Sequence, residues 1–119
     1  MGDDFTSITV TGIPWLTSVR LYDETIEHIC AGHPEFRHGL PVFMDGIVRA
    51  LSKPDIIHDS MTRPGRSVVF VSGEFTYRSN PVHIPVRILT DTTSGRVQTA
   101  YFSAAGTYVG KPLWRARNG

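Results

Sequence analysis

Hydrophobic and polar positions follow two different periods along this chain, and the change falls near Pro54. Before it, Tyr22, Ile26, Ile29 and Cys30 recur at three- and four-residue spacing, which predicts a helix over residues 22–32 with one apolar stripe. Gly32 is placed to cap that helix and Pro34 forbids its continuation. Pro41 opens a second helix in which Phe43, Met44, Ile47, Val48 and Leu51 repeat at the same spacing, ending at Lys53 and Pro54.

After Pro54 the pattern is that of strands. Residues 55–59 carry Ile56 and Ile57, residues 63–66 read as a turn, and 68–75 is a continuous apolar run suited to a central strand. Residues 83–90 alternate strictly, 91–95 form a loop, and 96–103 make the last strong strand. Upstream, β-branched residues over 7–13 suggest a short edge strand or an extended lead-in of about 20 residues, while 104–119 reads as a basic tail. The expected architecture is a single α+β domain, two N-terminal helices packed on one face of a four-stranded antiparallel meander.

The alternation also predicts a register. If the loop 91–95 closes symmetrically, Thr90 faces Arg96, so Arg87 faces Thr99, Pro85 faces Tyr101 and His83 faces Ser103, these last three pairs on one side. Ile84, Val86, Ile88, Ala100 and Phe102 then form an apolar face opposite.

Length and composition narrow the setting. A chain of 119 residues with 40% apolar content suits one domain with one core. Twelve Lys and Arg against eleven Asp and Glu leave no global basic field, so any contact with a polyanion must be local. Asp91 is the last acid, and Arg96, Lys111, Arg115 and Arg117 follow it. The single Cys30 excludes an internal disulfide framework and reads as a small packed hydrophobe, a catalytic thiol being the alternative. No apolar run approaches the ~20 residues of a membrane span and no basic start precedes an apolar core, so the reading is a soluble, cytoplasmic chain without a membrane partner.

Candidate chemistry concentrates in His28-Ile29-Cys30-Ala31-Gly32-His33-Pro34-Glu35. Imidazole titrates at about 6.5 and both takes and gives a proton near neutrality, so two of them at one helix end suggest acid-base work. At about 100° per residue His28 falls off the apolar stripe, one turn beyond Glu24 and within reach of an i,i+4 contact. The plain alternative is a surface histidine paired with Glu24. A zinc site from His28, His33 and His58 lacks both a His-Glu-x-x-His and a Cys pair. His58, at a strand end, and His38, in a loop, read as solvent residues.

The motif His28-Ile29-x-x-x-His33-Pro34-Glu35, the helix ending Leu51-Ser52-Lys53-Pro54-Asp55-Ile56-Ile57, the strand carrying Arg87 and the strand Val97-Gln98-Thr99-Ala100-Tyr101 together resemble the phage-type branch of the barnase/EndoU/colicin/RelE-like (BECR-fold) nucleases over residues 23–103. The resemblance implies endoribonuclease chemistry without metal or cofactor, in which the ribose 2′-hydroxyl attacks the adjacent phosphate to leave a cyclic phosphate. It implies a toxin or effector acting on RNA, tRNA among the candidate substrates, and held by a cognate antitoxin or immunity protein. His28 and His33 are then base and acid in an order left open, Arg87 clamps the phosphate, and Thr99 and Tyr101 donate to its oxygens or stack. Glu24, Arg66, His83 and Arg96 would line the substrate, with Arg63 on the same basic rim. The chain departs from the stronger toxins of that group in lacking a dense lysine cluster. Two other classes stay open: a module that binds RNA or a protein without cutting, and a toxin of this fold with a target other than RNA.

Overall fold

The computed structural model describes residues 4–32, 40–89 and 93–116. In chain order they form β1 (Phe5–Thr9), β2 (Ser18–Tyr22), α1 (Asp23–Gly32), α2 (Leu40–Ser52), β3 (Ile56–Asp59), β4 (Ser67–Tyr77), β5 (Asn80–Ile88), β6 (Ser94–Val97), β7 (Tyr101–Phe102) and β8 (Pro112–Arg115). The strands make one sheet in the order β1-β2-β6-β5-β4-β3-β8, with β7 also beside β5.

Both helices lie where the three- and four-residue spacing predicts them, except that Tyr22, expected on the apolar stripe of the first, ends β2 instead. Asp23 and Glu24 occupy the first turn of α1, where carboxylates complement the positive end of the helix dipole. In α2, Phe43, Ile47, Ala50 and Leu51 are buried, with Met44 and Val48 packed at the margin of the core. Gly46 lets α2 ride directly on β4, because a Cβ there would stand 2.5 Å from the Phe75 ring. The helix touches both β4 and β1, so the sheet curls round it and closes a core of Ile8, Val19, Leu21, Ile57, Phe70, Ile84, Val86 and Val97.

The expected four-stranded meander is incorrect: the sheet has eight strands and is mixed, not antiparallel throughout. Three of the additional strands come from the stretches read as lead-in and tail. β2 pairs in parallel with β6, Ser18 beside Ser94 and Arg20 beside Arg96, and the two serine hydroxyls meet at 3.2 Å. Its five residues alternate in and out as a strand should, but its first partner in the chain is β1 and the other lies 76 residues away, so no local pattern reveals the pairing. β8 pairs antiparallel with β3 and brings Trp114 against the core, turning part of the basic tail into an edge strand.

The last strand is broken, and its register differs. Gly95 already pairs with Ile88, and Leu89 N–H donates to the Ser94 carbonyl at 3.0 Å, so the ladder begins before the symmetric loop would allow. Arg87 therefore faces Arg96, where Thr99 was expected. One extra residue is absorbed around Thr99 and Ala100, after which His83 faces Tyr101, where Ser103 was expected. An odd slip exchanges faces and a one-residue bulge exchanges them back. Arg87, Arg96 and Tyr101 consequently share a side, while Phe102 turns to the core.

Candidate functional site

Where Tyr22 passes directly into α1, the first turns of that helix stand over the outer side of the β5–β6 hairpin. Glu24, Thr25 and His28 form one wall of a cleft of about 370 Å³, and Arg87, Arg96, Val97 and Gln98 form its floor and far side. His28 Nε2 lies 3.9 Å from Glu24 Oε1, the i,i+4 approach expected from the helix, and the His28 side chain is 78% exposed. Arg87 and Arg96 are direct cross-strand partners. Among the described residues neither pairs with a carboxylate, since the ion pairs are Glu24 with His28 and Asp45 with Arg49. The Arg96 guanidinium instead lies over the Tyr22 ring, 4.3 Å from its centroid.

This arrangement gathers four of the nine residues singled out from the sequence: Glu24, His28, Arg87 and Arg96. Thr99 and Tyr101 belong to a second cavity of about 510 Å³ between residues 60–63 and Tyr108, with Pro85 and Val69 at its base. Gln98 lines both cavities and is the residue sequence reasoning missed; its alternation with Arg96 along the strand is the signal that would have found it, given the correct register. Arg66 is exposed in the turn before β4 and lines neither cavity, whereas Arg63 lines the second. His33 lies outside the described residues, as does His38.

The two remaining histidines differ from expectation. His83 is fully buried beneath Tyr101, its ring stacked at 5.2 Å and 23°, so it is no surface ligand for substrate. Its Nδ1–H donates to the Pro81 carbonyl at 3.0 Å, while Nε2 has no hydrogen-bond partner. His58 is also buried, and its Nδ1–H donates to the Gly110 carbonyl at 3.0 Å, which ties the segment before β8 onto β3. A strand-end position looked solvated in sequence; the return of β8 along β3 covers it.

Burial holds the His83 pKa below its ordinary value, opposed by the bond to Pro81 and assisted by His58 nearby. The neutral ring is therefore the folded form, whereas an unfolded chain protonates it below about pH 6.5. Stability from this group is complete above that value and is lost as pH falls toward the lowered folded pKa. The melting temperature of the wild type should thus fall more steeply on acidification from neutrality than that of His83→Phe; parallel curves would show that His83 does not titrate in this way. Burial likewise raises the Tyr101 phenol above its ordinary range, so it remains a neutral donor near neutrality.

Among the described residues no three His, Cys, Asp or Glu side chains stand close enough to share a metal ion, and no helix is long and apolar enough to cross a membrane. Comparison with protein-family models, with curated proteins and with solved structures finds no match to the chain.

Proposed function

We propose that the cleft between α1 and the β5–β6 hairpin binds an RNA phosphodiester and cleaves it by attack of the ribose 2′-hydroxyl, giving a cyclic phosphate and a free 5′-hydroxyl. The observation that carries this reading is the meeting of His28 and Glu24 with two arginines that face one another and, among the described residues, form no ion pair with a carboxylate. Like charges directly opposite on a sheet repel, and a bound phosphate relieves that repulsion. Phosphoryl transfer through a pentacoordinate intermediate concentrates negative charge on the oxygens that two guanidiniums best neutralise.

Within that frame His28 accepts the 2′-hydroxyl proton. Glu24, 3.9 Å away on the preceding turn, stabilises the imidazolium that results. Arg87 and Arg96 hold the phosphate, and Gln98, one residue beyond the end of β6, donates to a remaining oxygen. The departing 5′-oxygen takes its proton from water, which the open cleft admits.

Incubating the purified chain with total RNA and with tRNA in excess chelator tests the reading. Cleavage is expected to persist and to leave cyclic-phosphate ends; loss in chelator with recovery on adding magnesium or zinc would reject the mechanism. The exposure of His28 and Glu24, which leaves the acid-base pair in water, favours a second reading, binding without cleavage. Retention of RNA without any product in the same experiment would select it.

A further inference from the structure

The cationic floor of the cleft does not end at Arg96. Arg20 on β2 is the register partner of Arg96 across the parallel pair, and Arg96 is that of Arg87, so three guanidinium side chains stand in one row over three adjacent strands. Strands lie about 4.8 Å apart, which sets three like charges side by side at a direct cost to the sheet. Among the described residues no carboxylate pairs with any of the three. Aromatic rings hold two of them instead. Arg20 lies over Phe5 at 5.0 Å, Arg96 lies over Tyr22 at 4.3 Å, and the two rings meet at 5.0 Å. Phe5 is 44% exposed at the sheet margin.

From this geometry we infer that Phe5, Arg20 and Tyr22 extend the cleft into a track for single-stranded nucleic acid, entering across β1 and β2 and delivering its backbone to Arg96 and Arg87. The inference rests on reading the cleft as a phosphate site. Arginines in a row that pair with no carboxylate among the described residues match successive phosphates; Arg20 spends one N–H on the Tyr22 hydroxyl at 3.5 Å, and its remaining N–H groups can bind oxygens. Exposed ring and guanidinium planes accept unpaired bases, which a duplex keeps stacked inside itself. The row is local, in keeping with a chain whose net charge is only +1.

Binding is measured by fluorescence anisotropy with a labelled oligothymidylate of about 12 nucleotides, within the usual range for such grooves, across a series of salt concentrations. Lacking 2′-hydroxyls, this probe cannot be cut by the proposed chemistry. Arg20→Ala is expected to weaken binding and to reduce the salt slope by about 0.7, the share of one phosphate contact on a single strand. Phe5→Ala is expected to weaken binding about fivefold, the low end for loss of one stacked base. Arg49→Ala, on the exposed face of α2 and paired with Asp45, should leave both unchanged. An Arg20→Ala chain that melts like the wild type and keeps its affinity and slope would overturn the track even if RNA is cleaved. An equal loss in Arg49→Ala would do so too, by showing diffuse charge, and so would tighter binding of the corresponding duplex. Conversely, an Arg20-dependent slope in a chain that cuts no RNA would retain the track and remove the cleavage reading.

Discussion

Replacing His28 with alanine is expected to lower the rate of RNA cleavage by about 10²–10⁴-fold, the usual cost of losing a proton-transfer group, with no change in melting temperature. The side chain is 78% exposed and the carboxylate it approaches, Glu24, is itself 60% exposed, so its removal takes little from the fold. Stability and activity therefore separate cleanly at this position. Arg87→Ala should raise KM and lower kcat together, because the guanidinium holds the phosphate both before and during reaction. Glu24→Gln should have a smaller effect and alter the pH profile of the reaction, as befits a group acting through His28. A folded His28→Ala enzyme at full rate would end the proposed mechanism. His58 is no neutral control here, because its bond to the Gly110 carbonyl makes His58→Ala a stability variant.

The second large effect concerns the fold. Leu21 is fully buried on β2, among Ile8, Val19 and the core beneath α2. Leu21→Ala should cost about 2–5 kcal/mol, the range for truncating a leucine in a close-packed interior. Urea unfolding is the measurement, with a lower midpoint and an unchanged m-value as the expected result. A loss below about 0.5 kcal/mol, typical of surface positions, would mean that the β1–β2 ribbon is appended to a smaller folding unit. Since Arg20 and Tyr22 belong to that ribbon, the same measurement also bears on how rigidly they stand beside Arg96.

What the sequence by itself determined is whatever depends on neighbours within a few residues. The stripe of Ile26, Ile29 and Cys30 and that of Phe43, Ile47 and Leu51 placed both helices. The apolar run of β4 and the alternation of β5 placed those strands, and the angular offset of His28 from the stripe put it on the solvent side beside Glu24. Each follows from a backbone period that the chain carries locally. Tertiary structure decided the rest. Whether residues 18–22 are a lead-in or a strand depends on a parallel partner at residues 94–96, and whether residues 112–115 are a tail or an edge depends on β3. The cleft itself turned on a slip of register: with Thr99 opposite Arg87 it would hold one cation, and with Arg96 there it holds two. The same bulge carried Thr99 and Tyr101 into a separate cavity and set Tyr101 over a buried His83. Hydrophobic alternation states only which residues share a face of their own strand. Which residue lies across from which is a relation between strands, set by where the ladder begins and by the bulge it tolerates, and only the assembled sheet contains it.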